Sequence, residues 1–297
     1  MKPISLVKLL CLAAVWGSSF IFMRVLAPVF GPWLTANLRV LLAGIFFMFY
    51  FAVTKFNPEW KKHGKHYLVV GMLNAAIPFA LYSFAALSIP ASYEAILNTT
   101  TPIFGAVFAW LWLGERMTLQ KGLGFLIAAL GVSLVVSVGT ANITTPFVFA
   151  VLACLLATFC YGLVGVYIKK FATTVKPVGM AGCSQFLAGV LMLPISATQS
   201  LPGTIDIKIV LCLLGLAFLC SAFAFLLFYQ LVAEIGPTKT MTVAFLIPVF
   251  GMLWGFLFLQ EEIRAHMVLG MLLIVAGTWF LAKKTKVPAS NTPKTGL

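Results

Sequence analysis

Charged side chains are scarce in this sequence, and acidic ones are the scarcest. Of its 297 residues only 9% are charged and seven are Asp or Glu, whereas 62% are hydrophobic. A soluble domain carries roughly 25% charged residues, so this chain has too few to cover a surface that faces water. The acidic residues are also scattered, whereas a membrane enzyme acting on lipids or isoprenoids needs clustered carboxylates, histidines or metal ligands. This scarcity argues against a lipid-modifying enzyme, which stays open as the alternative from a different class.

Cysteine and histidine are few as well. The six cysteines fall in apolar runs without CxxC or Cys/His ligand spacing, so we predict neither a disulfide framework nor a metal site. The three histidines, His63, His66 and His266, are predicted to lie in loops, which argues against a histidine proton relay. No segment resembles a Walker A loop, so ATP is not the direct energy source and no cofactor is expected.

Long apolar runs are what the sequence does have. A membrane-spanning helix needs about 20 mostly apolar residues, because lipid offers its backbone no hydrogen bonds. The stretch from Leu123 to Val136 is apolar on every face, unlike the alternating strands of a membrane β-barrel. We therefore predict an all-α membrane protein with ten transmembrane helices. The predicted helices span residues 5–26, 33–53, 67–87, 92–113, 119–138, 146–168, 177–197, 209–231, 238–259 and 265–282.

Basic residues set the predicted orientation. The net charge of +13 would suggest nucleic acid in a soluble protein, but most Lys and Arg lie in short loops between apolar runs. With a cytoplasmic N-terminus, 16 of the 20 basic residues fall in cytoplasmic segments, and only Arg24, Lys208 and Arg264 fall outside. This asymmetry predicts a multi-pass protein of the cell (inner) membrane with both termini cytoplasmic, in a lipid bilayer and with no nucleic-acid partner. An even number of helices follows.

The two ends of the chain carry separate signals. Lys2 and Lys8 before an apolar run resemble the start of a signal peptide, but the many spans that follow favour an uncleaved first helix. Residues 285–297 are rich in Lys, Pro and Thr, and we predict a disordered cytoplasmic tail there.

An internal repeat divides the chain. An offset of 145 residues aligns Gly17 with Gly162 and Gly44 with Gly189, and an offset of 146 aligns the two Pro-x-Phe-Gly motifs that begin at Pro102 and Pro248. We predict one five-helix repeat in residues 1–140 and a second in residues 141–284. Five is odd, so the second repeat enters the membrane from the opposite side. Inverted repeats of this kind build many secondary transporters, whereas a channel or scaffold explains them less well.

Several short motifs follow one another in a fixed order, mostly in the first half. They are Trp16-Gly17-Ser18-Ser19-Phe20, Arg39 after Pro32, the run Ala95-Ile96-Leu97-Asn98-Thr99-Thr100-Thr101-Pro102, Leu113-Gly114-Glu115, and Gly124 with Gly131. In this order and in duplicate, they resemble the EamA-type members of the drug/metabolite transporter superfamily. The second half departs from the pattern, with Leu259-Gln260-Glu261 in place of Leu-Gly-Glu.

The resemblance implies a ten-helix fold and the export of amino acids or other small metabolites. A drug or nucleotide-metabolite exporter is the alternative within the same class. Proton coupling and facilitated exchange both stay open, and so does the choice between a monomer and a homodimer. The expected partner is a small-molecule substrate.

Arg39 is the sharpest candidate for a substrate residue. It lies about six residues into the second predicted helix, roughly 9 Å below the end of the span at 1.5 Å per residue. An arginine at such a depth is costly to insert, so it should face a cavity or a partner. It can anchor a substrate carboxylate or move as a gating charge, or it can be a fixed link between helices.

Further polar and aromatic residues line the predicted cavity between helices 1, 3, 4, 6, 8 and 9. The expected substrate-binding residues besides Arg39 are Tyr82, Asn98, Trp16, Asn74, Tyr161, Gln185 and Tyr229. Each of them can instead serve interhelical hydrogen bonding or packing. Gln230 and Thr242 suit either an inner gate or the other wall of the cavity.

Three residues are candidates for coupling or gating. Glu94 begins helix 4, where it is either a solvated first turn or a buried carboxylate that can approach Arg39 and couple protons. Pro102 and Pro248 each remove a helix hydrogen bond near the centres of helices 4 and 9, so both helices are expected to bend there.

Overall fold

The computed structural model describes residues 2–138, 144–199 and 205–282, and every regular element in these ranges is helical. The predicted boundary between the repeats at 140/141 and the predicted tail 285–297 lie outside the described residues. The helices of the first half are α1 (Pro3–Thr54), α2 (Trp60–Gly71), α3 (Ile77–Ala85), α4 (Ala91–Asn98), α5 (Thr101–Leu113) and α6 (Leu119–Val138). Those of the second half are α7 (Thr145–Phe171), α8 (Pro177–Ser196), α9 (Ile207–Leu214), α10 (Ala224–Ile235), α11 (Pro237–Thr240), α12 (Val243–Leu259) and α13 (Ala265–Ala282).

The first helix is folded back on itself at Gly31. This residue has φ 76° and ψ 164°, a conformation that only glycine adopts readily. A nitrogen of the Arg39 guanidinium lies 3.7 Å from the sulfur of Met23, although 16 residues of straight helix would separate them by about 24 Å. The α1 element therefore consists of two arms, residues 3–30 and 32–54, that pack against each other.

The helices α2 and α3 form one continuous rod through a π-helical segment, Met72–Ala76, and a second π-helical segment, Gly215–Phe223, joins α9 to α10. By contrast, a turn at Thr99 and Thr100 separates α4 from α5. A matching turn at residues 241–242 separates α11 from α12. Two of the predicted spans are therefore interrupted by a non-helical turn, and two others contain a π-helical segment but stay continuous.

The prediction that the histidines lie in loops is wrong. His63 and His66 are on α2, which begins seven residues earlier than the predicted span, and His266 is on α13. The polar sequence of residues 60–66 hides a helix whose inner face is apolar, since His63 and Tyr67 lie four residues apart and both are buried.

Seven helical stretches in the described ranges are long and apolar enough to cross a membrane, and residues 243–259 and 265–281 form shorter apolar helices. Large hydrophobic side chains such as Phe49, Leu126, Leu130 and Phe258 are exposed on their outer faces. An apolar surface of this kind is compatible with lipid and incompatible with water. The chain is a multi-pass membrane protein.

Glycines allow the helices to approach closely, as is usual where lipid leaves no hydrophobic force between them. A Cβ added at Gly17 would lie 2.9 Å from the backbone nitrogen of Gly251, and one added at Gly162 would lie 2.6 Å from that of Gly105. Between α6 and α13, added Cβ atoms at Gly124 and Gly131 would meet the carbonyl oxygens of Gly277 and Gly270, respectively, at 2.8 and 2.7 Å.

We expect Gly131→Ala to destabilise the protein by about 1–3 kcal/mol, because the new methyl group has no room between α6 and α13. The matched control is Gly122→Ala on the same helix, where no atom lies within 4 Å of the added Cβ. Thermal unfolding of both variants in detergent measures the difference. Equal melting temperatures would mean that α6 and α13 do not pack as described.

Candidate functional site

Arg39 is buried in the second arm of α1, with 4% of its surface exposed. Its Nε donates a hydrogen bond to the Ser221 hydroxyl at 2.9 Å, and its guanidinium carbon lies 3.7 Å from the centre of the Phe79 ring. Its remaining contact is with the thioether of Met23, a weak acceptor. No carboxylate in the described residues lies within 4.0 Å of this guanidinium. Arg39 is thus a buried cation without an anionic partner.

Three other predicted residues are brought together beside it. Tyr82 on α3 donates a hydrogen bond to the Asn98 side-chain oxygen at 2.9 Å. Its ring stacks on that of Tyr161 from α7, with centroids 6.3 Å apart and planes at 27°. Phe79, which packs on Arg39, lies three residues before Tyr82 on the same helix. Residues from four helices therefore meet in one polar and aromatic cluster, which we call the Arg39 cluster: Arg39, Tyr82, Asn98 and Tyr161.

Glu94 is fully buried in the first turn of α4, one turn before Asn98, so the buried alternative is the correct one. Both carboxylate oxygens lack a hydrogen-bond partner in the described residues. The charged groups that act on it are Arg24 and Glu261, and no ion pair with Arg39 forms. Arg24 belongs to the first arm of α1, where its guanidinium donates to the carbonyl of Ala86.

Glu261 is a functional candidate that reasoning from the sequence missed. Its carboxylate accepts hydrogen bonds from the backbone nitrogens of Ala91 and Ser92 at 2.7 and 3.0 Å, and from the Ser92 hydroxyl at 2.6 Å. It thereby caps the N-terminus of α4, where a negative charge is favoured. Beside this contact lies a recess of about 450 Å³ lined by residues including Arg24, Pro90 and Glu261. The signal that could have found it is its alignment with Glu115 at the repeat offset of 146 residues.

Glu115, the repeat mate of Glu261, makes different contacts. It lies in the loop after α5 and is paired with Lys121 and Lys169, each at 3.2 Å. Partial burial raises the pKa of this carboxyl, but the hydrogen bonds from the two lysines outweigh that effect, so the pKa lies below its ordinary value. The two equivalent carboxylates therefore have non-equivalent surroundings.

The remaining predicted residues lie apart from the Arg39 cluster. Trp16 and Tyr229 both contact the rings of Phe225 and Phe228. The Gln185 nitrogen donates to the carbonyl of Ala181 at 3.4 Å, while the Gln185 side-chain oxygen is buried without a partner.

Asn74 is half-buried in the first π-helical segment. Gln230 and Thr242, which were expected at an inner gate, are exposed.

The two prolines do not play matching roles. Pro102 lies in the first turn of α5, directly after the turn at residues 99–100, so it starts a helix rather than bending one. Pro248 lies inside α12, six residues beyond the turn at 241–242. The predicted helix 4 is thus interrupted directly before Pro102, as expected near a proline, whereas the interruption in helix 9 lies farther from Pro248, so the two are not equivalent.

Comparison with known protein families identifies the family of this chain. The sequence model of the EamA-like transporter family matches residues 4–137 and, a second time, residues 148–283. The chain belongs to the EamA-like transporter family. Members of this family belong to the drug/metabolite transporter superfamily, and the chain is accordingly a membrane-embedded transporter.

Relatives of this EamA-like transporter resemble it over nearly their whole length. The uncharacterized transporter YvbV of Bacillus subtilis (strain 168) is 26% identical over 278 residues, covering 93% of this chain and 90% of that protein. The protein PecM of Dickeya dadantii (strain 3937) is 25% identical, covering 88% and 86%. A protein crystal structure with 15% identity shares the fold, with a TM-score of 0.63 over 95% of this chain and 97% of the other.

For the EamA-like bundle we expect Glu261→Gln and Ser92→Ala each to lower stability by about 1 kcal/mol, because each removes part of the cap on α4. The double variant should lose less than the sum of the two single losses, since both changes remove the same contact. Thermal unfolding of the four proteins in detergent measures this coupling. Strictly additive losses would show that the two side chains do not interact.

Proposed function

We propose that the protein is a secondary transporter that exports amino acids or related small metabolites by alternating access between two inverted five-helix repeats. The family assigns transport, and the substrate class, the helix count and the mechanism are our proposals. We assign the first repeat to residues 1–140 and the second to residues 141–284, with both termini in the cytoplasm of the cell.

The helix count of ten is supported by the chain reversal at Gly31. When the two arms of α1 are counted separately, the rods α2–α3, α4–α5, α9–α10 and α11–α12 and the single helices α6, α7, α8 and α13 complete ten spans. The family profile also matches once in each half. A proposed topology with five spans in each repeat agrees with both observations.

A two-fold relation between the halves is supported by contacts that the repeat exchanges. Under the repeat offset, the contact of Gly17 with Gly251 maps onto that of Gly162 with Gly105. The contact of Gly44 with Phe186 likewise maps onto that of Gly189 with Leu41. A two-fold relation between the halves requires such pairs of contacts, and chance similarity between helices does not produce them.

The observation that carries alternating access is the unequal state of Glu115 and Glu261. A symmetric static frame would place both carboxylates in equivalent contacts, but Glu261 caps α4 while Glu115 is paired with two lysines. Inverted repeats that differ in conformation close one end of a central site and open the other. We propose that the cap of Glu261 on α4 is one such closure.

The substrate anchor in this proposal is Arg39. Its buried guanidinium keeps free donors for a substrate carboxylate, and its partners Ser221 and Phe79 come from opposite halves of the chain. Tyr82, Asn98 and Tyr161 form the wall beside it. Trp16, Asn74, Gln185 and Tyr229 are proposed to line other parts of the pathway.

The proposed gating parts are Glu94, Pro102 and Pro248. The turn before Pro102 lets α4 move relative to α5, and the turn at 241–242 together with Pro248 does the same for helix 9. Their movement would change which end of the bundle admits substrate.

The test of transport is counterflow of labelled amino acids in liposomes that contain the purified protein. We expect saturable flux, and we expect Arg39→Ala to reduce it at least about 100-fold, because the anion anchor is lost. Arg39→Lys keeps the charge without the planar fork and should retain an intermediate rate. Arg116→Gln, in the loop after α5, is the control that should transport normally.

Absence of saturable flux with any amino acid, nucleoside or cationic drug would overturn the exporter proposal. Equal flux through the wild type and a folded Arg39→Ala variant would overturn the role of Arg39 alone. Melting temperature and elution as a single species in detergent establish that each variant is folded.

The ten-span topology has its own test. In a cysteine-free background, we expect a cysteine at Asn57 to react with a membrane-impermeant thiol reagent only from the cytoplasmic side. A cysteine at Gln199 should react only from the opposite side, because five proposed spans separate it from Asn57 and it lies beside the reversal at Gly31. Labelling of both positions from one side would contradict the proposed topology.

A further inference from the structure

We propose that the substrate site has two poles, with Arg39 receiving a carboxylate and Glu94 receiving an ammonium group, so that the transported molecule is a zwitterion. This inference rests on the proposed function, since it concerns the same site. It adds the second pole and thereby separates amino acids from simple organic anions and from cationic drugs.

The starting point is a buried arginine and a buried glutamate that form no ion pair with each other. Arg39 is 4% exposed and Glu94 is 0% exposed. Arg39 has only a hydroxyl, a thioether and an aromatic ring as partners, and the two oxygens of Glu94 have no hydrogen-bond partner in the described residues. A buried ion without a partner is strongly disfavoured. A bound molecule with both charges would satisfy the two together.

The two groups border the same cluster of side chains. Arg39 packs on the ring of Phe79, which lies three residues before Tyr82 on α3. Tyr82 donates a hydrogen bond to Asn98, which lies one turn after Glu94 on α4. Tyr82 therefore connects the surroundings of Arg39 with those of Glu94.

The hydrogen-bonding capacity at each pole matches its proposed ligand. A guanidinium has five donors in a planar fork that suits a carboxylate, and Arg39 uses one on Ser221 and one on the sulfur of Met23. An ammonium group has three donors and no acceptor. Glu94 offers two unused acceptor oxygens.

Other charged and titratable groups face Glu94 but are engaged elsewhere. From α1, Arg24 donates to the carbonyl of Ala86. From the segment before α13, Glu261 accepts three hydrogen bonds from the start of α4. Tyr82 on α3 donates to Asn98 rather than to Glu94, and Cys154 on α7 is a buried thiol. None of these four groups supplies Glu94 with a partner.

Aromatic rings surround Arg39 and Tyr82. Phe79 packs on Arg39, and Phe20 packs edge-on against Tyr82 with centroids 5.5 Å apart. An apolar side chain on the substrate suits these surroundings, and either an aromatic or an aliphatic one can be accommodated by them. The experiment therefore uses one trio of probes for each type.

Binding to the purified wild-type protein is measured for two matched trios. The first is L-phenylalanine, phenethylamine, which lacks the carboxylate, and 3-phenylpropanoate, which lacks the ammonium group. The second is L-leucine, 3-methylbutylamine and 4-methylpentanoate. In at least one trio, we expect the amino acid to bind at least about tenfold more tightly than either truncated analogue, because each analogue leaves one buried charge unpaired.

The Glu94→Gln variant then tests whether Glu94 binds the ammonium group. This variant keeps the size of the side chain and removes its charge, so the preference for the amino acid over the deaminated acid should fall to about twofold or less. The preference over the amine should be unchanged, since Arg39 is intact. Glu262→Gln, an exposed carboxylate near the same end of the bundle, is the matched control and should keep both preferences.

Four outcomes would overturn the inference. The first is that the wild type binds the deaminated acids as tightly as the amino acids, which needs no variant to observe. The second is that a folded Glu94→Gln protein keeps its full preference and loses only the effect of a pH gradient on flux, as expected of a proton carrier. If Glu94→Gln binds no probe, Glu94→Asp must restore amino-acid binding, and failure to do so is equally decisive. Saturable flux of nucleosides or drugs without binding of either trio would contradict the two-pole site but not the proposal that the protein is a transporter.

Discussion

The backbone of a protein in lipid must satisfy its own hydrogen bonds, and the rest of this structure depends on that constraint. It makes every regular element of the described ranges helical, and it limits departures from helix to places where other protein groups surround the backbone. The reversal at Gly31 lies against Gln199, and the turn at Thr99 and Thr100 is buried. The side-chain hydroxyl of each threonine bonds the backbone three residues earlier, which keeps the interrupted helix satisfied.

Lipid also removes the hydrophobic force that holds soluble helices together, so close packing must replace it. Pairs of glycines bring α6 against α13 and the first arm of α1 against α12. Gly44 and Gly189 likewise let the second arm of α1 and α8 lie nearly backbone to backbone.

The sequence indicated the membrane class, the family and most helices, because these depend on composition and on the spacing of Gly and Pro. Helix ends were harder to predict. Residues 60–66 look like a polar loop, yet His63 and Tyr67 bury one face of a helix there, and only tertiary contacts show that face to be inside. Pro102 suggested a bend, but its position after a turn depends on the hydroxyls that end α4.

For the candidate site, the sequence showed which residues were unusual in a membrane span but not which side chains they contact. A lone arginine inside a span is visible in any hydropathy profile, and so the burial of Arg39 was predictable. The sequence suggested that Glu94 could approach Arg39, but the structure instead leaves both groups without an ionic partner. Glu261 was visible only as the repeat mate of Glu115. Its cap on α4 required knowing that the loop before α13 lies beside residues 91–92.

The charged residues of the candidate site are not repeated in the second half, and this asymmetry bears on the substrate. The repeat mates of Arg39, Glu94 and Asn98 are Ser184, Thr240 and Ala244, none of which carries a charge. The carboxylates Glu115 and Glu261, by contrast, are kept in both halves, at the two loops where closure is expected. A helix bundle that opens to either side of the membrane needs its moving elements in both repeats. A site that distinguishes a carboxylate from an ammonium group needs the opposite, since a two-fold axis through it would present the same pole twice. Duplicated glycines and loop carboxylates around a single arginine and a single buried glutamate therefore fit the proposed export of a small polar molecule with two different ends.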